Sequence, residues 1–258
     1  MTEFIIDSHA HLDDERFDED REKIISKLEE NKIKAVINPA SDLESSQRAV
    51  ELSKKYSNIF AMVGSHPHEA KYYDDETRNK YIELSKQGKV VSVGEIGLDY
   101  HYDLSDRETQ KKVFIDQIDL AKKLNLPIVI HSRDAVEDTY DILSTHAADM
   151  KVLLHAFSES WEVCQRYLKL GFKIAMGGVV TFKNARKLLE VGEKIPLENL
   201  LIETDSPYLT PTPFRGKRNQ PAYTHYVAEK IAELKGIDVS QVRYYAYKNT
   251  IDFFGINL

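Results

Sequence analysis

His9 and His11 stand one residue apart where the first apolar run of the chain ends, in Phe4-Ile5-Ile6-Asp7-Ser8-His9-Ala10-His11. Residues two apart on a strand point to the same side, so this step aims two imidazoles at one place, with Asp7 behind them. Four later apolar runs also finish on a residue that can bind a metal. Residues 90–94 lead to Glu95, 127–130 to His131, 151–154 to His155, and 200–204 to Asp205. Four imidazoles and two carboxylates are too many for one tetrahedral ion and suit two divalent ions. The donor types place His9, His11, Glu95 and Asp205 around one ion, and Glu95, His131 and His155 around the other. Glu95 is the expected bridge, because a carboxylate has two oxygens and an imidazole cannot span two ions. Paired ions about 3.5–4 Å apart activate a water, polarise a phosphoryl oxygen and stabilise a leaving oxygen. Asp205 is the expected acceptor of the water proton, in addition to its role as a ligand.

These residues need strands to carry them. Three further apolar runs, at 34–37, 59–63 and 172–176, bring the number of short and nearly continuous hydrophobic strands to eight. Such runs mark strands buried on both faces of a parallel sheet. Helical stretches are expected between them at 18–31, 41–56, 75–87, 134–147, 159–170 and 183–191. A helix opened by Ser105-Asp106-Arg107-Glu108 as a capping box is also expected, with closing helices at 222–235 and 239–253. Eight strand–helix units in 258 residues predict an α/β chain folded as one TIM (β/α)8 barrel domain over 1–258 with closing C-terminal helices. An open doubly wound sheet also puts ligands beyond its strand ends. Ligands on both the first and the last strand favour the closed ring.

Composition narrows the class. Hydrophobic residues make up 42% of the chain, enough for one sizeable core. The early first strand leaves no room for a signal peptide, and no apolar stretch is long enough to span a membrane, so a cytoplasmic location is expected. Cys164 is the single cysteine, which rules out an intrachain disulfide and argues against a thiolate metal site, and it reads as a structural thiol. A net charge of −7 argues against a protein coated for bulk nucleic-acid binding but not against a nuclease gripping a few nucleotides. No obligate protein partner is evident.

The order and content of the strand ends resemble the TatD-family metal-dependent deoxyribonucleases. The resemblance rests on Asp7-Ser8-His9-Ala10-His11-Leu12, Gly64-Ser65-His66-Pro67-His68, Gly94-Glu95-Ile96-Gly97-Leu98-Asp99-Tyr100 and Glu203-Thr204-Asp205-Ser206-Pro207-Tyr208-Leu209. His131-Ser132-Arg133, His155-Ala156-Phe157-Ser158 and Arg215-Gly216-Lys217-Arg218-Asn219 match further segments. It implies a divalent-metal phosphodiesterase acting on DNA, with the metal roles given above. One departure stands out: the sixth-strand motif of the family usually reads His-Cys-Phe/Tyr-Ser-Gly, where this chain has Ala156 and Glu159.

Other residues are expected to support the site. Asp7 and Glu203 lie one layer deeper than the ligands and suit orientation of a ligand histidine, or else pair with a barrel lysine or arginine. His66 holds a substrate phosphate or a water, or packs under the site. Arg133 faces the same mouth as His131, where a guanidinium can clasp a phosphate. Arg215 and Lys217 sit in a loop with Tyr208 and Phe214, a mixture suited to stacked bases on single-stranded DNA. Tyr100 adds a stacking wall or caps the fourth strand. A narrow barrel mouth favours exonuclease action on single-stranded ends. The alternatives are a small-molecule hydrolase of the same barrel group (lactonase, phosphotriesterase or deaminase) and a non-catalytic metal-binding protein.

Overall fold

The apolar runs form eight strands, all in one sheet whose order follows the chain, β1-β2-β3-β4-β5-β6-β7-β8. The computed structural model describes residues 3–258. The strands are β1 (Ile5–Asp7), β2 (Ile33–Asn38), β3 (Ile59–Val63), β4 (Val90–Asp99), β5 (Ile128–Arg133), β6 (Val152–Leu154), β7 (Lys173–Met176) and β8 (Leu200–Ile202). Helices α1 (Arg21–Ser26), α2 (Leu43–Lys55), α3 (Asp75–Leu84), α4 (Arg107–Leu124), α5 (Val136–His146), α6 (Trp161–Lys169) and α7 (Arg186–Lys194) alternate with them. Helices α8 (Thr224–Lys235) and α9 (Val239–Phe254) follow β8. This is the expected (β/α)8 TIM-type fold. Every residue of β1, β3, β6 and β8 is buried, as the unbroken apolar runs require. Among the described residues no helix is long and apolar enough to cross a membrane.

The chain divides into two compact units. One contains the chain up to Asn38 with Ala156–Leu168 and Lys173–Leu258. In it β1 pairs with β2 and β7 with β8, both in parallel. The same unit holds the seam between the last strand and the first. Ser8 N–H donates to Ile202 O at 3.1 Å, Asp205 N–H to His9 O at 2.9 Å and His11 N–H to Ser206 O at 2.8 Å. The Asp7 carboxylate adds two bonds, accepting from Thr204 N (2.9 Å) and Thr204 Oγ1 (2.6 Å). An open doubly wound sheet has no such seam, so the closed alternative is the correct one.

The other unit comprises Pro39–His155 and Lys169–Phe172, with β4 at its centre between β3 and β5. Helix α4 starts one residue later than expected. Asp106, not Ser105, is the cap, accepting from Thr109 N at 3.0 Å. Ser105 Oγ instead bridges the neighbouring loop, donating to His68 O and accepting from Lys71 N. Two glutamines seven apart on the inner face of α4 act as backbone clamps. Gln110 accepts from Asp99 N and donates to Asp99 O and Ser105 O. Gln117 accepts from Ser65 N and donates to Ser65 O. Both side chains are fully buried, so each replaces the partners that these loop backbones would otherwise lack.

Other boundaries moved as well. The stretch expected at 18–31 keeps α-helix only over Arg21–Ser26, since Lys27 N and Leu28 N bond three residues back and tighten the last turn. Helix α7 runs three residues later than expected at both ends, and Pro196 follows its C-terminal flank. Strand β4 does not stop at Gly94 but continues to Asp99, so both Glu95 and Asp99 lie on it and both reach the His131 ring. Gly97 lies at φ 140°, and a Cβ there would come within 2.0 Å of His131 O. Glycine is required at this position for β4 to approach β5.

Candidate metal centre

The first unit brings together His9, His11 and Asp205. Strand β1 ends at Asp7, but Ala10 still makes a parallel bridge with Ser206. The extended register therefore persists, and both imidazoles meet one carboxylate oxygen. His9 Nε2 lies 3.8 Å and His11 Nε2 3.5 Å from Asp205 Oδ1. Asp205 takes φ 55°, a left-handed conformation that aspartate adopts more readily than most side chains. Behind this group Asp7 is buried, and burial pushes its carboxyl up to about 8 against the pull of Thr204 and the His9 backbone. Among the described residues Asp7 hydrogen-bonds to backbone and hydroxyl groups, not to a lysine or arginine. It accepts from His9 N at 3.3 Å and from Thr204, so it holds the ligand-bearing backbones rather than an imidazole ring. Glu203 acts similarly: its Oε1 accepts from Ala156 N at 2.5 Å, the residue after His155.

The second unit gathers its donors on Glu95. Oε1 of Glu95 lies 2.7 Å from His155 Nε2, 2.9 Å from His131 Nδ1 and 3.7 Å from His66 Nε2. The strand carries Glu95 into place, and Glu95 N–H donates to Ala40 O at 2.8 Å. His155 is fixed through its own N–H to Ile130 O. Burial above all, aided by the positive character of His131, drives the His66 imidazole well below its ordinary pKa and keeps it neutral. His66 Nδ1 accepts from His68 N at 3.2 Å, so the ring presents Nε2 to Glu95. For His131 burial works in the same downward direction, but hydrogen bonds to Asp99 and Glu95 outweigh it and raise the pKa.

Sequence reasoning assigned no role to Asp99. This carboxylate is fully buried and lies 2.9 Å from His131 Nε2 and 3.0 Å from His68 Nε2. The available signal was alternation: Asp99 is four residues from Glu95 on the same strand. His68, quoted above only as part of a motif, meets the same carboxylate.

The basic and aromatic residues have definite neighbours. Arg133 packs over the exposed Tyr102 ring (4.8 Å), Arg215 over Phe182 (4.0 Å) and Lys217 over Phe214 (5.9 Å). Arg218 is committed to Asp20 by two bonds, of 2.8 and 2.6 Å. Tyr100 donates its hydroxyl to Asp138 at 2.6 Å and carries Arg107 over its ring. Arg16, absent from the sequence-based candidates, lies 4.1 Å from the Tyr208 ring centre, and Tyr208 meets His11 edge to face.

Donor chemistry fits divalent cations in both units. The ligand atoms of His9, His11 and Asp205 lie within 4.8 Å of one another, as do those of His66, Glu95 and His131. Borderline nitrogen donors joined to one hard oxygen are what zinc, manganese, cobalt or nickel takes.

Comparison with known proteins agrees. A family model described as TatD related DNase matches residues 6–255. The chain is 44% identical over 254 residues to the Bacillus subtilis (strain 168) protein described as uncharacterized metal-dependent hydrolase YabD, covering 98% of this chain and all of that one. It is 37% identical to the Escherichia coli (strain K12) protein described as uncharacterized metal-dependent hydrolase YcfH, covering 98% and 97%. The crystal structure of YjjV, a TatD homologue from Escherichia coli K12, superposes with a TM-score of 0.92 at 30% identity, covering 98% of each chain. The chain therefore belongs to the TatD-related DNase family and is a metal-dependent hydrolase.

Proposed function

We propose that this hydrolase is a deoxyribonuclease that cleaves phosphodiester bonds from single-stranded DNA ends. The observation that carries this reading is the pair of imidazole–carboxylate groups, His9–His11–Asp205 and His66–Glu95–His131 with His155 on Glu95, in a chain of this family. Six ligands, His9, His11, Glu95, His131, His155 and Asp205, exceed what one tetrahedral ion takes and are assigned to two divalent ions. Glu95 is the carboxylate on which the imidazoles of its own unit converge. Bound there, divalent ions would supply Lewis-acid polarisation of a phosphodiester and charge stabilisation at its leaving oxygen.

The protein's own groups do the rest. The Asp205 carboxylate takes the proton of the attacking water, and its backbone is held for this by the bond from its N–H to His9 O. Asp7 and Glu203 fix the segments bearing His9 and His155, and His66, 3.7 Å from Glu95 Oε1, steadies that carboxylate. Arg133, Arg215 and Lys217 meet the phosphates, each beside an aromatic ring on which an unpaired base can stack. Tyr100, engaged with Asp138 and Arg107, shapes the rim on its own strand.

The test uses metal-stripped protein resupplied with manganese or magnesium and given end-labelled single-stranded DNA, with Asp205→Ala alongside. Stepwise shortening from one end, only with metal and only in the parent, is the expected result. Intact DNA with the ions bound would overturn the reading and point to a small-molecule ester as substrate.

A further inference from the structure

We infer that Lys71 and Tyr72 form an outer nucleotide subsite, which receives a base and a phosphate of the single strand beyond those that Tyr102 and Arg133 meet. The inference rests on the reading of single-stranded DNA as the substrate given above.

Large apolar side chains scattered singly over a surface need no explanation, whereas a contiguous exposed group marks a binding surface. Among the described residues the three most exposed large hydrophobic side chains are Tyr72 (68%), Tyr102 (55%) and Leu104 (52%). All three lie in the second unit, on two adjoining loops: the 3-10 turn Pro67–Tyr72 after β3, and the loop between β4 and α4. The loops are tied together. Ser105 Oγ donates to His68 O and accepts from Lys71 N, and Lys71 Nζ donates to Leu104 O at 3.0 Å. The group also continues inward to the ligands. The Tyr102 ring centre is 5.5 Å from that of His68, which is 6.3 Å from that of His131.

The backbone around Tyr72 is fixed while its side chain is left out. On one side Lys71 N is held by Ser105; on the other, Tyr73 N–H donates to Ala70 O and the Tyr73 hydroxyl donates to Asp116 at 2.6 Å. Tyr72 itself stands in solvent, with Lys71 Nζ 5.1 Å from its ring centre. This repeats the arrangement of Arg133, whose guanidinium lies 4.8 Å from the Tyr102 ring centre. An immobilised backbone spares the ring part of the ordering cost of binding.

Charge selects the occupant. Carboxylates beside these rings are already engaged: Asp103 with Arg107, Asp134 with His101, and Asp106 as the cap of α4. Lys71 and Arg133 are exposed, and among the described residues neither forms an ion pair with a carboxylate. Two cations without counter-charges, each beside an open aromatic ring, suit a chain that alternates phosphates with flat bases. An acidic peptide would meet the cations but bring nothing flat to the rings.

The experiment measures kcat and KM of the manganese-loaded parent, Tyr72→Ala, Tyr72→Phe and Lys71→Ala. The substrates are thymidine 5′-(p-nitrophenyl phosphate), too short to reach the outer subsite, and oligothymidylates from dimer to octamer. KM of the parent should fall as the oligomer lengthens. Tyr72→Ala should raise KM for the octamer roughly 5–100-fold, the worth of one base–aromatic stack, with kcat and the mononucleotide ester unaffected. Tyr72→Phe, which keeps the ring, should match the parent. In Lys71→Ala the slope of log K against log salt for octamer binding should become shallower by about 0.7. A parent-like KM for the octamer in Tyr72→Ala overturns this inference alone. An equal loss on the mononucleotide ester overturns it too, because the substitution would then be disturbing the metal centre itself. Failure of the parent to cleave any oligothymidylate overturns the substrate reading on which the inference rests.

Discussion

Gln110→Leu tests whether the inner face of α4 holds the strand ends that carry chemistry. The substitution keeps nearly the same volume and removes three hydrogen bonds: from Asp99 N–H, to Asp99 C=O and to Ser105 C=O. The side chain is fully buried, so water cannot replace them. A buried backbone group stripped of its partner costs about 1–3 kcal/mol. The carbonyls suffer less than the N–H because an under-satisfied oxygen is tolerated better, which gives a total of roughly 3–5 kcal/mol. For a chain of this size that lowers Tm by about 6–20 °C. Gln117→Leu removes two such bonds, to Ser65 N and Ser65 O, and should cost about 2–4 kcal/mol. Urea unfolding of the metal-free protein, followed by circular dichroism and by the single tryptophan, measures both. A midpoint unchanged in Gln110→Leu, or a larger loss in Gln117→Leu, would refute the reasoning, because it would mean that the backbone finds other partners. Zinc affinity supplies a second readout: Gln110→Leu should weaken it through Asp99, and Gln117→Leu should weaken it less.

Glu95→Ala should abolish turnover and leave fewer than half the parent's bound ions by elemental analysis; full metal content would remove Glu95 from the centre of the ligand set. Arg215→Ala with Lys217→Ala should weaken single-stranded DNA binding at unchanged metal content. The slope of log K against log salt should become shallower by about 1.4, two phosphate contacts at about 0.7 each, and an unchanged slope would make the loop a solvated surface. Asp7 gives a pH signature. Its folded pKa of about 8 exceeds the unfolded value, so in metal-free protein the native state binds the extra proton and stability falls as pH rises between about 4 and 8. Asp7→Asn removes that slope: relative to the parent, it should be more stable at the alkaline end of this window than at the acid end in urea melts. Parallel curves would sink the assignment.

Much of this was legible because chemistry and periodicity agreed. Each expected ligand stands at the end of, or just after, an apolar run, and strand alternation put His9 and His11 on one side. The deeper layer was harder to read. Asp99 was missed because the break at Gly94-Glu95 looks like a strand end, whereas the backbone continues through Gly97, where only the absence of a Cβ permits the approach to His131 O. The helix start at Ser105 was misplaced because serine and aspartate are both good caps, and the choice was made by His68 O and Lys71 N across the loop. The basic run at 215–218 looks uniform, yet Arg218 is neutralised by Asp20, distant in sequence. Such pairings depend on tertiary contacts that no local pattern encodes.

The seam that joins the last strand to the first has a consequence for how the protein is made. Thr204 and Asp7 bond across 197 positions, and His11 waits for Asp205 over nearly the same span. At 5–20 residues per second, the ribosome needs about 10–40 s to deliver the second partner after the first. Through that interval the His9–His11 pair has no Asp205 carboxylate. Contacts this distant also form late in folding, since the entropy of closing a long loop must be met first. Completion of the first ligand group is thereby a report that the ring has closed, and a nascent chain acquires it only at the end of its folding.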